Sequence, residues 1–570
     1  MSESISATTA TVQTPPVLLQ PDNHNKKYEA LFVEIDTGQI KLPMFQREFV
    51  WEKEQSAKLI DSILKGFPIG TFIFWKTKEE LRSYKDVGNH RLSDTPEGDY
   101  VQYILDGQQR ITSLYAIRKG IRISKDGVEI DYKDIFINLD YDPVNDEQIA
   151  VAERQENKRY VSVHRVLTCA ITDLEDDFPD RQTRKQIEAY KNKLTTYDFS
   201  TITIKDYPIE IACEVFTRIN TGGKTLTVFE IMVAKTYDEK KKFDLAERFE
   251  MLRDGSDEEK ECLTAAKFET IPESIVMQCV AVITVQAVRS RDILKIRREK
   301  FIENWEPMKT ALFTAIDFIR SELRVPVSQL VPYPGILVSL AYFFHKTANK
   351  KPSIEQVRLL EQYFYWVGLT ERYNSATESK LAEDFKKMDD IISGKQPVYL
   401  ATELHIDHKR IAERWFSAGN AYCKAVLSLL AYQQPKSFDT NGVVILDNSH
   451  LKIAASRNYH HFFPKKYLEE NQKDKEPNLI ANITLIDGYS NKHRIGKKSP
   501  GDYISKFAES NPSLPATLQT HLIKDAVAYG VNGNDYDHFI KRRSMTIAAA
   551  LNVKLLSMTH AEATQAENAE

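Results

Sequence analysis

Apolar and polar residues follow each other in mixed helical and extended patterns through the first part of the chain. A set of apolar residues at helical spacing predicts a helix over 52–65, which Gly66 ends. The stretches 69–75 and 100–105 predict strands, and a turn and a helix follow the second one at once. These patterns indicate a domain that combines helices with a sheet.

From residue 241 onward, the spacing of apolar residues is mostly helical. Residues 241–400 include strong helical stretches, among them 273–288 and 354–367. From 401 onward a helical segment leads into a compact group of motifs, and a last helical stretch follows it. The C-terminal region is therefore expected to be mainly helical around a small motif-bearing core.

The chain is predicted to be an α+β multidomain protein, because domains usually run to about 100–200 residues and this chain has 570. The predicted division is a flexible tail at 1–25, domains over 26–240, 241–400 and 401–555, and a second tail at 556–570.

Composition narrows the functional classes only slightly. Hydrophobic residues make up 42% of the chain and the net charge is -4, so any surface for nucleic acid must be local. Five cysteines form no Cys-x-x-Cys pair, which argues against a disulfide framework or a zinc site. No apolar run of about 18 residues is present to span a bilayer. We therefore expect a soluble, cytoplasmic protein with no membrane partner.

The most distinctive chemistry lies in the C-terminal region. The stretch Tyr-His-His-Phe-Phe-Pro at 459–464 contains His461, Asn482 follows 21 residues later, and Asn491 follows after 9 more. Residues 451–500 hold ten Lys and Arg against five Asp and Glu, a local charge of +5 that suits a phosphate backbone.

These residue types suit phosphodiester hydrolysis. A neutral histidine can activate water, and a divalent cation held by one or two side chains can stabilise the phosphate and the leaving oxygen. The alternative is that 459–463 is an aromatic core strand whose histidines have structural roles. Lys465 and Lys466 could likewise belong to an ordinary solvated face instead of contacting DNA.

The C-terminal motifs resemble the HNH, or ββα-metal, nuclease family. The resemblance implies that His461 is the general base, that Asn482 orients the His461 loop and that Asn491 is a metal ligand. The residue before the base is usually acidic and binds metal; here it is His460, which we expect to replace it, with His493 as a spare ligand. The implied ion is Mg²⁺ or Mn²⁺. The predicted contacts to the DNA backbone are Lys465, Lys466, Lys497 and Lys498.

Three polar stretches stand out in the N-terminal region, at 42–51, 106–114 and 216–226. Asp106 is expected to cap a helix that starts near Gln108, and the free N–H groups of that helix with Arg110 would suit an anion. Thr227 is predicted to open the next helix with a capping box. No Walker P-loop is present. The residues favour a phosphate or nucleotide site, and the alternative is a polar network that only joins turns.

The three stretches resemble the N-terminal domain of GmrSD-type proteins, which has a ParB/sulfiredoxin-like fold. The resemblance implies binding and hydrolysis of an NTP (GTP, ATP or UTP) and sensing of modified DNA. The implied nucleotide-binding residues are Asp106, Gly107, Gln108, Gln109, Arg110, Arg218, Asn220 and Gly222, and the implied DNA-sensing residues are Phe45, Gln46 and Arg47. The layout is also similar to that of the phosphorothioate-sensing defence nuclease SspE.

Together these features predict a modification-linked endonuclease of a bacterial anti-phage restriction system. It would nick or cut phage or modified DNA under the control of an NTP, with a homodimer as a possible assembly. Two alternatives stay open: an NTP-regulated DNA-binding protein that blocks replication without cutting, and a toxin that targets RNA.

Overall fold

The structure is a computed structural model, and its chain divides into two compact units, 1–237 and 238–570. The residues that it describes are 20–43, 49–79, 81, 86–87, 90–91, 93–96, 98–125, 128–219, 226–257, 260–451 and 459–556. None of the helices in these ranges is both long and apolar enough to cross a membrane.

The first unit mixes strands and helices, as its sequence predicts. Its described strands are β1 (Asp22–Lys27), β2 (Ile40–Lys41), β3 (Phe72–Thr77), β4 (Asp86–Val87), β5 (His90–Arg91), β6 (Val101–Asp106), β7 (Arg122–Lys125), β8 (Val128–Asp131), β9 (Phe136–Asn138), β10 (Ala150–Val151), β11 (Tyr160–Ser162) and β12 (Asp198–Lys205). Its described helices are α1 (Tyr28–Asp36), α2 (Lys53–Lys65), α3 (Gln108–Lys119), α4 (Val163–Thr168), α5 (Arg181–Thr195), α6 (Ile209–Ile219) and α7 (Val228–Thr236), with a 3₁₀ turn at Ile171–Leu174.

A five-stranded sheet in the order β1-β12-β3-β6-β2 organises this unit. The β12–β3 and β2–β6 pairs are parallel and the other two pairs are antiparallel. A second sheet has the order β10-β9-β11. The buried apolar side chains of α1, α2 and α3 pack with those of β3 and β6 into one core, which holds the α3 helix and the strand before it in fixed positions.

Local signals account for several helix ends. The predicted helix over 52–65 is confirmed as α2, which a capping box at Glu52 opens and Gly66 closes at φ +73°. Thr227 opens α7 with the predicted capping box. The strand predicted from residue 69 begins only at Phe72, because Pro68 lacks an N–H group and Gly70 has φ +86°.

The second unit is mainly helical. Its described helices are α8 (Leu245–Asp254), α9 (Leu263–Ala266), α10 (Glu273–Val285), α11 (Ser290–Leu294), α12 (Arg298–Glu303), α13 (Trp305–Ser321), α14 (Ile336–Lys346), α15 (Ile354–Leu369), α16 (Thr377–Ile392), α17 (His408–Ala412), α18 (Ala421–Tyr432), α19 (Asn448–Leu451), α20 (Lys465–Asn471), α21 (Pro500–Ser510), α22 (Leu514–Gln519) and α23 (Tyr536–Leu555). Its described strands are β13 (Tyr459–His461) and β14 (Ile483–Leu485). Short 3₁₀ turns lie at Ser328–Leu330, Arg372–Asn374, Ala401–Glu403 and Ile480–Asn482, and a π-helical turn lies at Ser490–Ile495.

Residues on both sides of the boundary predicted near residue 400 lie in the second unit, 238–570. The last helix, α23, packs against α15 of the predicted middle region. Lys554 on α23 forms an ion pair of 2.6 Å with Glu361 on α15. Local sequence patterns miss this arrangement because the partners are almost two hundred residues apart, and the middle and C-terminal segments therefore form one body.

Arg543 on α23 is a fully buried cation, and its hydrogen-bond partners among the described residues are backbone carbonyl groups. Its Nη1 donates to the carbonyl oxygens of Ala481 at 2.6 Å and Ile483 at 2.7 Å. Its Nε and Nη2 donate to the carbonyl oxygen of His521 at 3.3 and 3.1 Å. Among the described residues no carboxylate pairs with it. Burial lowers the pKa of Arg543 to about 9, so it remains charged at neutral pH.

We expect Arg543→Met to lower the free energy of unfolding by about 3–5 kcal/mol, because it leaves three buried carbonyl groups without their donor. Urea denaturation measures this change. Arg542→Met is the matched control, since Arg542 is the exposed neighbour on the same helix. Equal and small changes for both variants would contradict a stabilising role for the buried guanidinium group.

Candidate active site

The pairing of β13 with β14 builds the centre of the site. His461 lies opposite Ile483, and His460 lies opposite Thr484. The N–H of Phe462 then donates to the carbonyl oxygen of Asn482 at 2.8 Å, which extends the pairing beyond the strand. These bonds fix the backbone on which both histidines stand.

Asn482 fastens the loop after His461. Its Oδ1 accepts from the N–H of Phe463 at 2.8 Å, and its Nδ2 donates to the carbonyl oxygens of Phe463 at 3.0 Å and Pro477 at 2.9 Å. The side chain is fully buried. This position suits the orienting role that the sequence predicts, and it gives Asn482 no direct access to a substrate.

His461 is oriented by Asn478. The Nε2–H of His461 donates to Oδ1 of Asn478 at 3.0 Å, and Nδ2 of Asn478 donates to the carbonyl oxygen of Phe416 at 3.0 Å. The second bond sets the amide so that its oxygen faces the ring. This places the proton of the neutral imidazole on Nε2, and Nδ1 keeps a lone pair that has no hydrogen-bond partner among the described residues.

Burial keeps the ring of His461 neutral. Loss of solvation lowers its pKa below the ordinary value, and the nearby Lys465 acts in the same direction. The hydrogen bond to Asn478 opposes this change but does not reverse it. An uncharged imidazole with a free nitrogen is the form that a general base requires.

A cavity of about 470 Å³ opens beside His461. Its described lining is Tyr459, His460, His461, Pro464, Lys465, Lys466, Asn491, Gly496 and Lys497. The structure thus brings together six of the predicted residues, three of them exposed lysines. Lys498 is absent from this lining and donates to the carbonyl oxygen of Arg494 at 2.6 Å. His493, the spare ligand, is absent as well and lies beside the ring of Tyr489.

Asn491 reaches the cavity from the π-helical turn. Its Nδ2 donates to the carbonyl oxygen of Tyr459 at 3.1 Å. This bond leaves its Oδ1 as the atom that could contact a ligand.

The structure does not support His460 as a ligand of an ion in the cavity. Its ring is 2% exposed and points to the core side of β13, where Nδ1 is 2.9 Å from the hydroxyl group of Thr484. The rings of Phe438, Phe462 and Tyr503 surround it at about 6 Å. Its Nε2 is buried without a hydrogen-bond partner among the described residues, and burial lowers its pKa strongly. Successive side chains of a strand point to opposite faces, so the ring of His460 lies on the face of β13 opposite to His461, although the residue is also part of the cavity lining.

The described residues fit a divalent ion poorly. They contain no group of three or more His, Cys, Asp and Glu side chains that could hold a metal. The described cavity lining has no carboxylate, whereas Mg²⁺ in proteins is usually bound through one or two. Asn491 is the predicted ligand in the described lining whose side chain keeps an oxygen for an ion, because its bond to Tyr459 uses the Nδ2 atom.

In the first unit, the start of α3 at the Asp106–Arg110 motif differs from the predicted helix cap. Gly107, not Asp106, precedes α3, and no side chain caps that helix. Gly107 has φ +92°, and a Cβ atom there would lie 2.3 Å from the ring of Phe72. Asp106 instead accepts from Nη2 of Arg110 at 3.1 Å. The predicted cap is therefore wrong, because the left-handed turn at Gly107 points the Asp106 side chain toward Arg110.

Arg110 ties α3 to the loop before β3. Its Nη1 donates to the carbonyl oxygen of Ile69 at 2.6 Å, and its Nη2 donates to that of Thr71 at 3.1 Å. The guanidinium group also stacks over the ring of Phe72 at 5.1 Å. Most of its donor capacity is used within the protein, which matches the alternative of a polar network between turns.

Gln109 joins two of the predicted motifs. Its Oε1 accepts from the N–H of Val50 at 2.8 Å and of Trp51 at 3.3 Å. Gln108 and Gln109 are both buried. The motif thus anchors the chain directly after the predicted DNA-sensing residues Phe45, Gln46 and Arg47, which lie outside the described residues.

The third predicted stretch is described only in part. Arg218 is 77% exposed at the end of α6 and pairs with Glu214 at 2.5 Å. Asn220 and Gly222 lie outside the described residues.

Sequence reasoning missed the role of Asn478. The residue stands at the head of the same Asn-containing stretch as Asn482, and its spacing carries no signal that it, and not Asn482, contacts the His461 ring. Tyr459 and Gly496 of the cavity wall were also missed, because their contribution depends on the folding of the π-helical turn against β13.

Two comparisons relate this chain to known proteins, one over most of its length and one over the first unit. A protein of Methanocaldococcus jannaschii, described as uncharacterized, is 24% identical over 523 residues, which covers 83% of this chain and 85% of that protein. Residues 28–237 match the family model described as GmrSD restriction endonuclease, N-terminal domain. The matched segment lies within the first structural unit and ends at the same residue, 237.

Proposed function

We propose that this chain is a DNA endonuclease that restricts phage or modified DNA. The observation that carries the proposal is the neutral, Asn478-oriented His461 beside a cavity lined by three exposed lysines. The match of residues 28–237 to a restriction endonuclease domain supports DNA as the substrate.

In the proposed reaction the lysines bind the phosphate and His461 acts on water. Nδ1 of His461 takes a proton from a water molecule while the water oxygen attacks phosphorus. The bond from phosphorus to the leaving oxygen then breaks, that oxygen takes a proton from solvent water, and the imidazolium of His461 returns its proton to solvent. Lys465, Lys466 and Lys497 offset the charge of the phosphate. We further propose that Mg²⁺ or Mn²⁺ stimulates cleavage, which the cleavage assay tests. None of the steps described here requires an ion.

A second candidate function is binding of DNA without cleavage. The lack of a carboxylate among the described lining of the cavity favours it, since phosphate binding needs only the lysines.

His461→Ala should abolish cleavage without altering the fold, because a positioned general base contributes about 10²–10⁴-fold to the rate. Conversion of supercoiled plasmid to nicked and linear forms, with Mg²⁺, Mn²⁺ or chelator, measures it. A folded His461→Ala protein that cuts at the wild-type rate would contradict the assignment. A wild-type protein that binds DNA but cuts under none of these conditions would favour the second candidate.

The rate of cleavage should fall as the pH drops through the lowered pKa of His461, because protonation removes the free lone pair on Nδ1. Asn478→Asp should move this acidic limb to higher pH by about one unit, since a carboxylate stabilises the imidazolium form. Asn471→Asp adds the same charge at an exposed site on α20 and serves as the control. Equal shifts in both variants would show a general charge effect and would exclude specific control by residue 478.

We also propose that an NTP bound by the first unit regulates cleavage. The proposal rests on the resemblance of the stretches at 106–114 and 216–226 to the N-terminal domain of GmrSD-type proteins. Arg110 is assigned a supporting role from its bonds to Ile69 and Thr71.

The wild-type melting temperature should rise with an NTP, because a ligand at a hundredfold excess over Kd stabilises the native state by about 2.7 kcal/mol. Arg110→Ala should lower the melting temperature without ligand, whereas the exposed Arg122→Ala should not. Scanning calorimetry with GTP, ATP and UTP, with and without DNA, measures both effects. No shift and no hydrolysis with any nucleotide would exclude the nucleotide role.

A further inference from the structure

An aromatic pair lies on the surface of the second unit, close in sequence to the cavity wall. Tyr489 is 66% exposed, and its ring lies 4.9 Å from that of His493 at an angle of 36°. His493 is exposed as well. A tyrosine that buries so little of its ring adds little to the core, so one of its faces is open to a planar ligand.

The π-helical turn Ser490–Ile495 connects this pair to the cavity. Asn491, between the two aromatic residues, lines the cavity and is tied to the backbone of Tyr459. Gly496 and Lys497, which follow the turn, line it too. Isolated π-helical turns are rare and occur often at functional sites. The turn therefore holds the aromatic pair next to the wall of the phosphate cavity.

The same segment is strongly basic. Residues 489–498 contain Lys492, Arg494, Lys497 and Lys498 and no acidic residue. The three lysines are exposed. Cations interleaved with exposed aromatic rings are the usual surface for an unpaired strand of nucleic acid, where the cations follow the phosphates and the rings stack on bases.

We propose that Tyr489 and His493 form a stacking platform for a nucleobase of single-stranded or locally unpaired DNA. The phosphate next to that base would enter the cavity of His461. In an intact duplex the faces of each base are covered by its neighbours, so a side chain can stack only on a base that has left the helix. This inference rests on the proposed function, because it names the form of DNA that the same site receives.

The test measures binding, in the His461→Ala background so that cleavage cannot interfere. Fluorescence anisotropy compares a labelled single-stranded oligonucleotide with the duplex of the same sequence. Tyr489→Ala should weaken binding of the single strand about 5- to 100-fold, the range expected for loss of one stacked base, and should change duplex binding by less than about twofold. Tyr489→Phe keeps the ring and should bind like the parent.

Two further variants separate stacking from apolar contact and from charge. Tyr489→Leu keeps apolar bulk without a planar ring and should behave like Tyr489→Ala. Lys492→Ala should weaken both forms of DNA alike, because it removes a phosphate contact. The melting temperature of each variant shows that the fold is intact, as expected for exposed side chains.

The platform is overturned if Tyr489→Leu binds like Tyr489→Phe, or if Tyr489→Ala weakens duplex and single strand equally. Tighter binding of single-stranded RNA with the same dependence on Tyr489 would overturn DNA as the ligand. Plasmid cleavage by the protein with His461 intact tests the nuclease proposal separately. If single-stranded DNA binds through Tyr489 but plasmid is not cleaved, the stacking proposal is supported and the nuclease proposal is excluded.

Discussion

The position of β14 in the second unit depends on one physical requirement: a buried charge must be fully hydrogen-bonded. Arg543 lies wholly inside the unit, and a guanidinium group is stable there only if its donors find acceptors. Its acceptors are the carbonyl oxygens of Ala481 in the turn before β14, of Ile483 at the start of β14, and of His521. One side chain of the last helix therefore fixes the strand that pairs with β13, and through it the backbone of His461.

Two amide side chains fix the loop and the ring of His461 within the site. Asn482 holds the loop after His461, and Asn478 holds the ring. Asn478 is in turn held by the carbonyl oxygen of Phe416, in the segment between α17 and α18. Each amide has both a donor and an acceptor, so one residue can set two orientations at once. The tautomer of His461 thus depends on a chain of contacts that begins at Phe416, 45 residues upstream.

The first unit uses polar residues in a comparable way. Arg110 donates hydrogen bonds to the loop before β3 and to Asp106. Gln109 accepts hydrogen bonds from the backbone of Val50 and Trp51. Gly107 permits this arrangement because only a residue without a side chain fits against Phe72 at positive φ. In the described residues, the motif at 106–110 therefore holds two loops together.

The sequence by itself determined the mixed first unit, the helical second unit, the helix end at Gly66 and the capping box at Thr227. Those features depend on spacing and on neighbours a few residues apart, which a sequence displays directly. Only the tertiary structure decided that His460 faces the core, that Asn478 orients His461, and that the segments on either side of residue 400 share one body. Each of these depends on contacts between distant parts of the chain. Hydrogen bonds and packing between such segments leave no periodic pattern in the sequence, so they become visible only when the chain is folded.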